Sequence, residues 1–376
     1  MTVERLQSFG ETIFTTMSAL AVQHDAINLG QGFPDTDGPA RMLEIAQEQI
    51  AAGNNQYAPL RGQPVLLDAI SRRFGVPPEN ILVTVGATEG LTAAILGTVE
   101  PGQEVIVLEP YYDAYAAAIA LADAVRVPVP LAPAGDSWDV DVDAVRAAIT
   151  DRTAMIIVNS PHNPTGAVFS RAALEDLAAL CVEKNLIVLS DEVYENLVFH
   201  GAAHTRVSDL PGMAERTIWV NSAAKSFNCT GWKTGWVIAT PALLEGVIKA
   251  KQFMTFVGFS PVQPAVAHAL LHEDEWVHDM MDGLKECHDI LAAGLRQAGY
   301  RVHHTQGTYY LVTDVGEDGI DFCTRLPETK GVAAIPLAAF TDNPEPWRTK
   351  VRFAFCKRPE VIREAVARLT DRATSQ

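Results

Sequence analysis

Short runs of apolar, often β-branched residues alternate with longer helical stretches from about residue 80 onwards. Segments rich in Ala and Leu, such as 89–98, 112–122 and 171–184, have the length and composition of helices. Because the runs between them are apolar throughout, they favour a mainly parallel sheet that helices cover on both faces. Seven runs are predicted as strands of this sheet: 81–85, 104–108, 125–129, 154–158, 186–190, 217–221 and 235–239.

The two ends of the chain do not follow this α/β pattern. The C-terminal third has a long polar helix over about 276–298, short strands near 309–313 and 351–355, and a helix from Pro359. The first 38 residues, which include GQGFPDTDGP, lie outside the alternation as well. We therefore predict a large α/β domain over 39–275 and a smaller α+β domain made of 1–38 and 276–376.

Composition narrows the function classes. The chain has 376 residues, and its 46 acidic residues against 29 basic ones give a net charge of −17, so we expect neither nucleic acid nor anionic membrane as a partner. Charged residues near the N-terminus interrupt any export signal, and the purest apolar run, 114–122, is too short to span a bilayer. Five scattered cysteines without a CxxC pair fit a reducing cytoplasm.

Candidate chemistry follows the strands, where parallel sheets collect ligands. Gly86, Ala87 and Thr88 precede a helix predicted to begin at Glu89, which describes either an anion site or an ordinary glycine turn capped by Thr88. The next strand leads to Tyr112, an aromatic side chain that serves either the same crevice or packing.

Two further strands end in polar residues. Asn163 lies in NSPHNPTG, an irregular loop fixed by prolines, and Asp191 and Tyr194 lie in DEVY. Because burial of an unpaired carboxylate costs several kcal/mol, Asp191 needs a cationic or protonated partner.

Three basic residues have an open interpretation. Lys225 lies among small and apolar neighbours in SAAKSF, where desolvation would lower the pKa of its ammonium group, although a surface lysine fits as well. Lys233 in GWKTG could pair with a phosphate. Arg352 lies on a strand between apolar residues and needs a carboxylate, from a substrate or from a structural salt bridge.

Other catalytic signatures are missing. The sequence has no GxGxxG after a strand, no GxxxxGK[ST], no HExxH and no GxSxG. His268 and His272 are spaced for one helix face, but no third ligand accompanies them, so we predict no metal site.

Taken in order, NPTG, DEVY, SxxK and GWKxG resemble the class I/II aminotransferases, the pyridoxal 5'-phosphate enzymes of fold type I. The resemblance extends from GQGFPD to VRFAFCKR and is strongest to the kynurenine and glutamine transaminase subgroup. Within it, the chain is most similar to actinobacterial N-succinyldiaminopimelate aminotransferases, through NQYAPLRG, VGATE and SAAKSFNCTGWK.

The resemblance implies a role for each candidate around the cofactor ring. Lys225 would carry the cofactor and move the substrate Cα proton, and Asp191 would keep the pyridine nitrogen protonated. Asn163 and Tyr194 would hydrogen-bond the phenolic oxygen, while Tyr112 would stack on the ring.

The resemblance also assigns the phosphate-binding residues. Backbone groups of Ala87 and Thr88, with Ser222 and Lys233, would hold the phosphate, and Tyr57 would reach it from the other subunit of a homodimer. The family often has a second hydroxyl residue where this chain has Ala224.

Substrates are the remaining expectation. Arg352, with Asn163 and the backbone at Gly32, would bind the α-carboxylate of an amino acid, whose amino group passes to a 2-oxo acid by a ping-pong mechanism. The alternatives are a kynurenine-, glutamine- or methionine-type transaminase, a cysteine-conjugate β-lyase and, more remotely, a non-catalytic ligand-sensing regulator. Candidates to line the side-chain pocket, with Arg61 as a partner for a distal carboxylate, are Phe14, Arg61, Phe227, Tyr309 and Phe340.

Overall fold

A computed structural model describes residues 2–371 and has the predicted α/β architecture. Its α-helices are Ile13–Gln23 (α1), Ala40–Ala51 (α2), Pro64–Phe74 (α3), Gly86–Thr98 (α4), Ala114–Leu121 (α5), Val142–Ala148 (α6), Arg171–Glu183 (α7), Ala223–Ser226 (α8), Pro241–Lys251 (α9), Val262–His272 (α10), Asp274–Gln297 (α11), Gly319–Lys330 (α12) and Pro359–Thr370 (α13). Short 3₁₀ helices are Glu4–Leu6, Pro78–Asn80, Val207–Asp209, Thr230–Trp232, Leu337–Phe340 and Glu345–Trp347.

The strands of the described residues form two main sheets and two small pairings. The strands are Ile27–Asn28 (β1), Ile81–Val85 (β2), Glu104–Glu109 (β3), Val125–Pro130 (β4), Ala132–Ala134 (β5), Ser137–Asp139 (β6), Thr153–Asn159 (β7), Ile187–Asp191 (β8), Thr217–Ser222 (β9), Thr234–Ile238 (β10), Arg301–Val302 (β11), Tyr310–Asp314 (β12), Val332–Ala333 (β13), Ile335–Pro336 (β14) and Lys350–Ala354 (β15).

The large sheet contains all seven predicted strands, in the order β2-β10-β9-β8-β7-β3-β4. Neighbours from β9 to β4 run parallel, and only β10 is antiparallel to β9 and β2. Alternate residues of these strands enter different apolar clusters on the two faces, as Ile106 and Val107 do, which explains why the runs lack polar positions. The predicted mainly parallel sheet is confirmed.

Helix α4 begins at Gly86, three residues before the predicted start at Glu89. Gly86 has a φ of +74°, a value that only glycine adopts readily, and it turns the chain directly from β2 into the helix. The hydroxyl of Thr88 is therefore not the N-cap, and no side chain caps this helix end. The first backbone N–H groups of α4 are left facing outward from the sheet edge.

The four-stranded sheet has the order β11-β12-β15-β14 and shares its core with helices α11, α12 and α13. Strand β1 pairs in parallel with β13, and Met17 of α1 and Leu29 pack into the same core. This pairing supports the grouping of 1–38 with 276–376, although the domain boundaries stay a prediction. Among residues 2–371, no helix is both long and apolar enough to cross a membrane.

Candidate active site

A cavity of about 340 Å³ opens where β2, β7, β8 and β9 end, beside β12 of the smaller sheet. Most residues predicted for the site line it together, although they come from segments far apart in the chain. Those residues are Gly32, Ala87, Thr88, Tyr112, Asn163, Asp191, Tyr194, Ser222, Lys225 and Lys233.

One end of the cavity has the features of an anion-binding site. The uncapped N-terminus of α4 points its free N–H groups there, and the macrodipole of the helix adds positive potential. The Lys233 Nζ lies so close that a Cβ on Gly86 would meet it at 3.3 Å. Gly235 lets β10 lie close to the start of α4, because a Cβ at position 235 would come within 2.9 Å of the Ala87 backbone nitrogen. Ser222, which caps α8 through the Ala224 N–H at 3.0 Å, completes this end.

Asp191 is the last residue of β8 and is almost fully buried. Its Oδ2 accepts a hydrogen bond from the Tyr115 hydroxyl at 2.6 Å, and its Oδ1 accepts one from the Val193 backbone at 3.4 Å. Burial nevertheless raises the pKa of Asp191 to about 6, against an ordinary value of 3.8. A protonated ring nitrogen would supply the cation that this carboxylate lacks within residues 2–371.

Lys225 projects from α8, a single helical turn that directly follows β9. Its Nζ donates a hydrogen bond to the Tyr309 hydroxyl at 2.9 Å, and that hydroxyl in turn donates to the Gly32 carbonyl at 2.5 Å. The ring centroids of Tyr194 and Tyr309 lie 5.8 and 5.6 Å from the amine. The lysine is therefore held in the cavity and does not lie on the surface.

Arg352 lies behind Asn163, fully buried on β15. Its guanidinium donates to Asn163 Oδ1 and to the Gly30 carbonyl, both at 2.8 Å, and lies 3.9 Å from the centre of the Tyr310 ring. Its Nε has no hydrogen-bond partner. Among the described residues no carboxylate lies within 4.0 Å of it, so the structural salt bridge considered from the sequence is not formed.

The loop after β7 links these groups. Asn159 donates from Nδ2 to the Asp191 carbonyl and accepts the Asn163 N–H at Oδ1, both at 2.8 Å. The Tyr194 hydroxyl lies 3.4 Å from that of Tyr310, and burial raises the pKa of Tyr194 far above its ordinary value. Tyr194 therefore keeps its proton, and its hydroxyl donates this hydrogen bond to the Tyr310 hydroxyl.

Sequence reasoning missed several residues around the site: Tyr115, Asn159, Tyr309 and Tyr310. Tyr309 was a candidate only for the side-chain pocket, whereas its hydroxyl bonds to Lys225. The pairing of β12 with β15 accounts for Tyr310. It sets Val312 opposite Arg352, so Tyr310, two residues before Val312, lies on the same face of the sheet as Arg352. The neighbouring Tyr115 is a second signal, three residues after Tyr112 in a segment predicted as one helix, although α5 begins only at Ala114.

Two expectations about the wall of the side-chain pocket are wrong. Arg61 does not line the cavity, because its guanidinium donates to the backbone carbonyls of Glu79 and of Ile81, the latter at 3.0 Å. Phe227 is buried in a core outside the cavity. By contrast, Phe14 lines the cavity and Phe340 packs 5.1 Å from the Arg352 guanidinium.

Tyr57 is the one predicted cofactor residue that lies far from this cavity. Its side chain is 81% exposed and packs edge-on against Phe256, with ring centroids 5.5 Å apart. It does not line the cavity of its own chain.

The cavity fits a phosphorylated pyridine cofactor. It combines an uncapped helix end beside a lysine, a buried carboxylate without a cation, an aromatic side chain in Tyr112 and a primary amine on Lys225. Arg352 adds a buried cation without an anion, which suits the α-carboxylate of an amino acid.

Comparison with known proteins agrees with this chemistry. The family model described as aminotransferase class I and II matches residues 24–369. The chain is 50% identical to a probable N-succinyldiaminopimelate aminotransferase of Mycobacterium tuberculosis, over 98% of each chain. It is 38% identical to the methionine aminotransferase of Escherichia coli, over 97% of each chain.

A solved structure is similar as well. The N-succinyldiaminopimelate aminotransferase of Mycobacterium tuberculosis superposes with a TM-score of 0.96 at 51% identity, covering 98% of this chain and 99% of that one. The similarity spans both sheets, and the predicted fold class is confirmed.

Proposed function

The chain belongs to the class I and II aminotransferases, which depend on pyridoxal 5'-phosphate, and from this premise we propose that its amino donor is N-succinyldiaminopimelate and its acceptor 2-oxoglutarate. The enzyme moves an amino group from an amino acid to a 2-oxo acid. The identity of 50% over 98% of the chain supports the donor, since the methionine aminotransferase of Escherichia coli, at 38%, is less similar.

Arg352 carries the substrate-binding part of the proposal. It is a buried, permanently charged guanidinium whose close partners within residues 2–371 are neutral oxygens and aromatic rings. A buried cation in this state is costly unless an anion joins it, and every amino acid and 2-oxo acid substrate brings a carboxylate. We propose that this carboxylate pairs with Arg352, with Asn163 and the Gly32 backbone beside it.

Lys225 and Asp191 divide the chemical work. When bound, the cofactor provides an electron sink for the bond that breaks at the substrate Cα. The Lys225 Nζ holds the cofactor and then carries the Cα proton, and the Tyr309 hydroxyl at 2.9 Å keeps that amine oriented. The Asp191 carboxylate keeps a proton on the ring nitrogen, which satisfies its own buried charge.

The other predicted residues bind the remaining cofactor groups. The N-terminus of α4, with Ala87, Thr88, Ser222 and Lys233, would hold the phosphate, since these residues line one cavity. This end retains one hydroxyl cap, Ser222, despite Ala224 next to the lysine. Asn163 and Tyr194 would hydrogen-bond the phenolic oxygen, and Tyr112 would stack on the ring.

We propose a homodimer in which Tyr57 completes the phosphate site of the partner. Phe256, which packs against this tyrosine, belongs to a segment with other exposed apolar side chains, namely Phe253, Met254 and Phe259. Such a patch needs a protein partner to cover it. We also place the enzyme in the cytoplasm, since all five cysteines lie within the described residues, buried and without disulfides.

A panel of amino donors tests the proposed donor. Each donor is paired with 2-oxoglutarate or pyruvate, and the cofactor absorbance and kcat/KM are followed. N-succinyldiaminopimelate with 2-oxoglutarate should give the highest kcat/KM, and Lys225→Ala should show no turnover with any pair.

Other outcomes of the panel replace the proposal. A higher kcat/KM with methionine, kynurenine or glutamine assigns the enzyme to that donor. Pyruvate and ammonia released from cystathionine without an acceptor would identify β-lyase activity. Binding of donors without any turnover by the wild type would support a ligand-sensing regulator.

A further inference from the structure

Three histidines and an aspartate meet at the surface, and none of them lines the active-site cavity. His200 lies in the loop after β8, His288 and Asp289 are consecutive residues of α11, and His304 follows β11. The imidazoles therefore come from three segments of the chain.

The spacing of the His200 ring from the rings of His288 and His304 is close to that of imidazoles around one metal ion. The His200 ring centroid lies 4.9 Å from that of His288 and 5.8 Å from that of His304. Two imidazoles on one tetrahedral zinc ion, with Zn–N bonds of about 2.0 Å, have centroids about 5 Å apart. Candidate ligand atoms of His200, His288 and Asp289 all lie within 4.8 Å of one another. Rotation of the exposed His200 and Asp289 side chains can close the remaining gap.

We propose that His200, His288, Asp289 and His304 bind one divalent transition-metal ion of the zinc class. Imidazole nitrogens suit zinc, nickel and copper, whereas calcium and magnesium prefer sites made of oxygen ligands. One carboxylate beside three imidazoles gives four ligands, the number that zinc takes in closed structural sites.

The backbone around the cluster is already fixed. Val198 forms an isolated antiparallel bridge with Gly307, and the Phe199 N–H donates to the Gln306 carbonyl at 2.9 Å, which ties the two histidine-bearing loops together. His288 is buried beside Phe199, and its Nδ1 lies 2.9 Å from Asp289 Oδ1. Little conformational entropy is then lost when the ion binds.

Metal at this position would join the loop after β8 to α11 and to the connection between β11 and β12. Because the ligands belong to different segments, the ion binds the folded chain more tightly than the unfolded one, and it should raise the midpoint of thermal unfolding. This role is independent of the transamination chemistry.

The test titrates the holoenzyme, freed of any histidine tag, with zinc chloride. Calorimetry should report one tight equivalent, and thermal unfolding should shift upward by several degrees with zinc. In the double variant His200→Asn/His304→Asn, zinc affinity should fall about tenfold or more and the thermal shift should disappear. Both positions are exposed, and Asn tolerates the positive φ of His200.

The matched control is His268→Asn/His272→Asn, which removes another imidazole pair with ring centroids 4.8 Å apart. This control should bind zinc as the wild type does. Equal zinc affinity in the wild type and the His200→Asn/His304→Asn variant would overturn the proposal, as would the absence of a zinc-dependent thermal shift in the wild type. Loss of zinc binding in the control alone would place the zinc site on α10, and this result would also overturn the proposal.

Discussion

Asp191 and Arg352 are both buried, and neither has an oppositely charged side chain within 4.0 Å among the described residues, yet the protein surrounds them differently. Asp191 ends a strand of the large sheet and receives hydrogen bonds from Tyr115 and a backbone N–H. Arg352 lies in the smaller sheet, where a side-chain amide, a backbone carbonyl and ring faces accept or cover its guanidinium.

The two residues differ in whether they can lose their charge at physiological pH. A carboxyl group relieves the cost of burial by taking up a proton, and burial accordingly raises the pKa of Asp191 to about 6. A guanidinium stays charged at every physiological pH, so its surroundings must tolerate the charge until an anion arrives. In the proposed roles, the region of Asp191 would tune the electron demand of a cofactor, and the region of Arg352 would bind a carboxylate at every physiological pH.

The largest effect is expected when the charge of Asp191 is removed. In Asp191→Asn, kcat should fall about 10²–10³-fold with every donor, because a preorganised charge beside the ring nitrogen is lost. KM for the amino donor should change little. Steady-state kinetics at saturating cofactor measure both values. A fall in kcat smaller than tenfold would show that Asp191 does not contribute to the chemical step as proposed.

A smaller effect is expected at Arg352. In Arg352→Gln, kcat/KM should fall about 10²-fold for all amino donors, since about two charge-assisted hydrogen bonds to the substrate carboxylate disappear. The exposed Arg358, on the segment after β15, provides the control Arg358→Gln with unchanged kcat/KM. If kcat/KM fell for only one class of donor, Arg352 would bind the side chain of that donor and not the α-carboxylate.

The third expectation concerns the stability of cofactor-free enzyme. The pKa of Asp191 rises on folding from 3.8 to about 6, so its favourable contribution is complete below about pH 4 and is lost as pH rises through 6. Cofactor-free Asp191→Asn should therefore be more stable than cofactor-free wild type above pH 6, by up to about 3 kcal/mol.

Urea unfolding from pH 4 to pH 8 checks this difference. The advantage of Asp191→Asn should shrink towards acid pH and be small at pH 4, close to the unfolded-state pKa of 3.8, where the folded carboxyl is protonated and the unfolded one about half protonated. A constant difference across this range would show that the carboxyl does not titrate as its burial requires.

The sequence by itself determined the strands, the order of the motifs and the family, because apolar periodicity and residue spacing are local properties. It also selected most of the cavity-lining residues, since the carboxyl ends of parallel strands meet at one edge. The roles given to these residues remain proposals.

Only the tertiary structure decided how the charges are held. Tyr115 reaches Asp191 across 76 positions, Arg352 reaches Asn163 across 189 and Gly30 across 322. It also placed Arg61 on backbone carbonyls, moved the start of α4 to Gly86 and joined β1 to β13. Such contacts depend on how helices and strands pack in space, so the sequence pattern around one partner does not predict which distant residue it will contact.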